Sequence, residues 1–255
     1  MSTPAPNTML NHFTGFRRTI IALVLFGVSF GYVEAAIVVY LRAIYEPMRY
    51  RVYPETSQDA LFPLLRFEDI EAEGPEHVRR LATEVIREAA TLVMLTGIGL
   101  AVGRTFLQWI AVVMISFGLW DIFYYVFLKW LINWPASLFT WDILFLLPVP
   151  WVGPVIAPSL VALSMIVAGV VMLARESVGR PVPLGVIHWC TIVLGGVLIV
   201  VAFCWDWRNI IAGGEPNPFN WSLFTIGEVV GVLAFLHAIF RGGKWNQAHR
   251  FNRST

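Results

Sequence analysis

Six stretches of this chain run for about 20 residues each with almost no charge, which is the length an α-helix needs to cross a bilayer. They are Thr19–Leu41, Leu81–Val102, Thr105–Phe127, Trp151–Ala174, Pro183–Cys204 and Trp221–Phe240, and together they use more than half of the 255 residues. The remainder is too short to hold a separate catalytic domain. Of the whole chain 57% is hydrophobic and 14% charged, with a mean hydropathy of +0.68. A soluble domain carries about 25% charged residues. That contrast excludes a soluble globular protein, a disordered chain and a secreted disulfide scaffold. The chain reads as all-α: a polytopic transmembrane helix bundle of six spans, forming one integral membrane domain over residues 1–255.

The first apolar stretch follows Arg17 and Arg18 and runs to Leu41. It exceeds the roughly 7–15-residue core of a signal peptide, so it reads as the first span. Short loops rich in Lys and Arg mark the cytoplasmic side. Arg17, Arg18, Arg104, Arg175, Arg180, Arg241, Lys244, Arg250 and Arg253 share one side, against Lys129 and Arg208 in the opposite short connections; the long loop from Arg42 to Arg80 adds basic residues on the far side, but long loops count for less. Both termini are therefore expected in the cytoplasm of a cell membrane (plasma or inner), as tails over residues 1–18 and 241–255. The longer segment 42–80 is expected as an outer loop. Pro75 suits a first helical turn, and Glu76, Arg80, Glu84 and Glu88 recur every four residues. The second span is thus expected as one long helix that starts outside the membrane and is buried from about Glu88.

Between spans three and four, the apolar run Leu138–Leu147 is too short to cross and contains Asp142. Pro148 and Pro150 follow and prevent a continuous helix. The expectation here is a short interfacial or re-entrant helix on the outer mouth of the bundle. Trp130, Trp134, Trp141, Trp151, Trp205, Trp207 and Trp221 all map to that outer boundary. They read either as an aromatic belt at headgroup level or as an aromatic entrance for a lipid or quinone, with Trp141, Asp142 and Trp151 at the opening.

The chemistry-bearing feature is acid inside the spans, where each charge is costly. Glu34, Glu88, Asp121 and Glu228 each lie seven or eight residues from an outer helix end, about 10–12 Å deep at 1.5 Å per residue. Four helices thus place a carboxyl at one level. Gly27 and Gly31 precede Glu34, Gly227 and Gly231 flank Glu228, and Gly99 and Gly103 follow Glu88, each a G-x-x-x-G close-packing face. Tyr124 and Tyr125 lie near enough to Asp121 to donate hydrogen bonds. Arg87 is the nearby base, so four ionised carboxylates would leave a deficit of about three positive charges. Either protons or a bound cation make up that balance.

The alternative is structural: Glu84 pairing with Arg80, Glu88 with Arg87 or a headgroup, and Glu34 and Glu228 bonded to backbone carbonyls. An all-carboxylate site would suit magnesium, calcium or manganese. His188 and His237 lie toward the opposite helix ends and join no haem or zinc motif. There is also no NAD-binding glycine loop, and no catalytic nucleophile stands out. Cys190 and Cys204, fourteen residues apart on one helix, are about 21 Å apart and cannot bond. With a net charge of +1 the chain has no pull toward nucleic acid. Three functions follow: a transporter or coupling protein using the acidic layer, a non-catalytic subunit of a larger membrane complex or homo-oligomer, and, ranked behind both, a membrane-embedded enzyme acting on a lipid or quinone-like substrate. No repeat relates spans one to three with four to six, which weighs against the first.

Overall fold

A computed structural model describes residues 6–55 and 65–251, with side chains over 15–55 and 65–241. Its helices are α1 (Pro6–Val52), α2 (Phe67–Ala72), α3 (Pro75–Val102), α4 (Phe106–Ile132), α5 (Ile156–Ser177), α6 (Val186–Phe203), α7 (Trp207–Ile211) and α8 (Trp221–Phe251). Strands β1 (Trp141–Phe145) and β2 (Trp151–Pro154) lie between α4 and α5. Among the described residues, α1, α3, α4, α5, α6 and α8 are long and apolar enough to cross a membrane. The chain has the architecture of a multi-pass membrane protein.

Helix packing follows the small residues. A Cβ on Gly31 would sit 2.9 Å from the Tyr124 backbone nitrogen, and one on Gly118 would sit 2.5 Å from the Ala162 carbonyl oxygen. Only glycine lets α1 and α5 approach α4 so closely at those levels. The same logic joins α6 to α8, where a Cβ on Gly195 would meet the Gly227 carbonyl oxygen at 2.6 Å. Thr105 caps α4 by accepting from the Gln108 amide at 3.1 Å, and its hydroxyl donates to Glu176 at 2.7 Å, tying the start of α4 to the end of α5.

Helix α3 is the long continuous helix expected from Pro75, which occupies its first turn after Gly74 at φ 118°. Helix α1 differs from expectation. It does not stop near Leu41 but continues to Val52, so the first eleven residues of the expected outer loop are helical. Hydropathy marks where a helix leaves the apolar layer, not where it ends. Residues 42–52 contain no stop signal beyond Pro47, and they bury Tyr45 and Met48 against Leu65 and Ile70.

The segment expected as a short interfacial helix is instead an antiparallel hairpin. Trp141 pairs with Pro154, Asp142 with Gly153, Ile143 with Val152 and Phe145 with Trp151, with an irregularity between Ile143 and Phe145. The prolines that forbid a helix lie in the turn, and Trp141, Ile143 and Phe145 are strand-favouring types. Pairing gives the backbone groups partners within the protein, which burial at that depth requires. Span four accordingly begins at Ile156 rather than Trp151, whose residues belong to β2. Gly153 leaves room for the Phe203 ring, which would lie 2.8 Å from any Cβ there.

Candidate functional site

The acid-bearing faces of α1, α3 and α4 meet around a cavity of about 110 Å³, closed on one side by β1. That is room for several water-sized molecules. On α1 its wall is Glu34, Val38, Leu41, Arg42 and Tyr45, a single helical stripe that reaches Arg42 and Tyr45 only because the helix runs on past Leu41. Leu81, Glu84, Arg87 and Glu88 come from α3, and Trp120, Asp121, Tyr124 and Tyr125 from α4. Asp142 and the residues through Leu146 come from the hairpin.

Glu34 is bound by the Arg87 guanidinium at 2.5 Å, and the same guanidinium holds Glu84 at 2.5 Å. Arg87 therefore bridges α1 and α3 and is shared by two carboxyls. Glu84 does not pair with Arg80, which faces Glu76 at 3.8 Å. Glu88 is buried and accepts the Leu146 amide at 2.8 Å, a bond that anchors the hairpin to α3. Arg87 is not its hydrogen-bond partner, being engaged with Glu34 and Glu84 instead.

Tyr124 and Tyr125 do not donate to Asp121. Both hydroxyls donate to Asp142 Oδ2, at 3.5 and 3.0 Å, because the hairpin delivers that carboxyl between α1 and α4. Asp142 is 6% exposed. Burial pushes its carboxyl up to about 7, against the pull of the Tyr125 hydroxyl and the nearby Arg42 guanidinium. Asp121 lies within Coulombic reach of Asp142, and its own Oδ2 is shielded from solvent with no hydrogen-bond partner among the described residues.

The expected layer is thus partly assembled. Glu34, Glu88 and Asp121 share the cavity with Arg87, Tyr124 and Tyr125, whereas Glu228 does not join them. Helix α8 packs mainly on α6, and this turns Glu228 toward α5, where it accepts from the Ser164 hydroxyl. Asp142 lines the cavity, but Trp141 and Trp151 do not. Trp141 packs edge-on to Phe219 and Trp151 to Phe145. Trp130 and Trp205 are 74% and 63% exposed on the protein surface.

Sequence reasoning missed Glu84 and Arg42 as cavity residues and assigned Asp142 to an entrance. Among the described residues five carboxyls and two guanidinium groups line the cavity. No three His, Cys, Asp or Glu side chains among them converge on a metal-sized point. At the opposite membrane level, His188 and His237 meet across α6 and α8, Nε2 to Nδ1, at 3.0 Å. His188 Nδ1 accepts the Gly185 amide at 3.1 Å, so in the neutral pair its proton is on Nε2 and His188 is the donor. Comparison with known protein families, curated proteins and solved structures returned no match.

Proposed function

We propose that this protein takes up protons in its acidic cavity and passes them on, as a small transporter or as a proton-coupling element. The reading rests on Asp121: a carboxyl whose shielded oxygen meets no donor, on the wall of a cavity where acid outnumbers base. A carboxyl cluster in low dielectric needs added positive charge. The absence of a converging three-ligand set among the described residues favours a proton over a divalent metal ion as that charge. The hydroxyls of Tyr124 and Tyr125 on Asp142 supply groups through which a proton can be exchanged.

In this reading the chain sits in a cell membrane with both termini cytoplasmic and the cavity in the outer half, as the distribution of Lys and Arg favours. Its first partner is the bilayer. Reconstitution into liposomes enclosing a pH-sensitive dye tests the proposal. An imposed pH gradient is expected to decay faster with wild type than with protein-free liposomes. Asp121→Asn should abolish the effect, while Glu228→Gln, outside the cavity, should leave it. No flux in wild type, or unchanged flux in Asp121→Asn, would overturn the proposal.

A further inference from the structure

At the membrane level opposite the acidic cavity, α6 and α8 share a polar contact that proton uptake at Asp121 does not use. The two helices pack through glycine: Cβ atoms on Gly195 and Gly227 would each meet the other's carbonyl oxygen, at 2.6 and 2.7 Å. Such packing sets how closely the helices approach but adds no side-chain tie. The hydrogen bond from His188 Nε2 to His237 Nδ1, at 3.0 Å, is the one side-chain hydrogen bond between α6 and α8 among the described residues. Seven residues separate His188 from Gly195, about 10 Å along α6, so the pair acts well beyond the glycine notch.

A neutral imidazole has one nitrogen free to accept. His188 spends its own, Nδ1, on the Gly185 amide at 3.1 Å, in the first turn of α6. His237 spends its own, also Nδ1, on the N–H of His188. Both accepting nitrogens are occupied, so an added proton must displace one of the two donors. On His188 the charge would stand in the first turn of α6, where backbone N–H groups already make the field positive. His237 lies sixteen residues into α8, away from either helix end. The proton therefore goes to His237 Nδ1 and faces the N–H of His188. Two donors cannot share a hydrogen bond, and the rings part. Moving the His188 proton to Nδ1 would restore the contact only by turning that proton against the Gly185 amide.

The surroundings offer the new charge no other partner. The charged and titratable groups of the neighbouring elements at this level are Arg17 and Arg18 on α1, Arg104 before α4, Arg175 and Glu176 ending α5, Arg180 in the connection, Cys190 on α6 and Arg241 on α8. Among the described residues none is bonded to either ring, and the carboxyl of Glu176 already accepts the Thr105 hydroxyl.

We propose that His188 and His237 form a pH-sensitive latch between α6 and α8, closed while both rings are neutral and opened by one added proton. Histidine is the side chain that changes charge between about pH 5 and 8. His237 is exposed, so a proton reaches it without crossing the bundle.

Double electron–electron resonance on the full-length protein in nanodiscs reads the latch. One spin label sits on exposed Cys190 and one on Phe240→Cys, whose native side chain is 68% exposed, in a Cys204→Ser background. From pH 8 to pH 5 the label distance is expected to lengthen by several ångströms and its distribution to broaden. His237→Asn places a neutral oxygen where Nδ1 stood and takes up no proton in this range, so it should hold the short distance at both pH values. His237→Ala offers no acceptor and should give the long, broad distribution already at pH 8. An unchanged distance in wild type, the same lengthening in His237→Asn, or a short distance in His237→Ala at pH 8 would overturn the proposal. Proton flux is not read in this experiment, so its failure and that of proton uptake at Asp121 are told apart.

Discussion

Asp142→Asn separates the cost of burying an acid from the benefit of the hairpin that carries it. The side chain keeps its shape and keeps an oxygen to accept the Tyr125 hydroxyl, now 3.0 Å away, but it can no longer ionise. In the folded protein burial raises this carboxyl from an ordinary value of 3.8 to about 7. The folded state therefore holds a proton that the unfolded chain has released over that interval. Stability must fall as pH rises from about 4 to 7 and stay level above, by up to about 4 kcal/mol for a change of that size. The asparagine variant lacks this slope. Thermal unfolding in nanodiscs, followed by tryptophan fluorescence from pH 4 to pH 9, is expected to show variant and wild type converging at the acid end. The variant should gain progressively up to about pH 7. A constant difference across the range would mean that Asp142 titrates as a solvated carboxyl, and the burial argument would be wrong.

Two further expectations concern the frame of the site. Glu88→Ala removes the acceptor of the Leu146 amide, so hydrogen exchange at Leu146 should accelerate about tenfold or more. Glu88→Gln, which still offers an oxygen, should protect it, and equal protection in both would show that the hairpin is held elsewhere. Gly118→Ala should lower the unfolding free energy by about 1–3 kcal/mol, since its Cβ would meet a backbone oxygen of α5 that has no room to give. Gly97→Ala, where nothing lies within 4 Å, should be neutral or stabilising by up to about 1 kcal/mol; a loss as large as that of Gly118→Ala would contradict the packing account.

The spans were legible because charge is costly in hydrocarbon, and the sequence cannot conceal where it avoids charge. The depth of Glu34, Glu88 and Asp121 was legible for the same reason, through a fixed rise per residue. What escaped was whatever depends on pairing between distant segments. The strand partners of β1 cannot be read from a proline-rich apolar run, because a short run of that kind suits a helix or a strand equally. Asp142 reaches the tyrosines only through that pairing. Glu228 has the right depth but the wrong azimuth, and azimuth depends on which neighbour α8 chooses. The His188–His237 contact spans 49 positions and needs the register of α6 against α8, fixed at Gly195 and Gly227. Arg42 lay within reach of sequence reasoning, since it shares a helical stripe with Glu34 and Val38 once the helix is allowed to continue.

That continuation has a mechanical consequence. An unbroken helix of 47 residues is about 70 Å long, well beyond the 40–45 Å of a bilayer with its headgroups. Along this one rod stand Gly31 in its notch against α4, Glu34 in the grip of Arg87, Arg42 on the cavity wall, and Tyr45 and Met48 beneath α2. One continuous helix therefore carries both the contact with α2 and a wall of the acidic cavity, so a chain break between Leu41 and Tyr45 would separate the two.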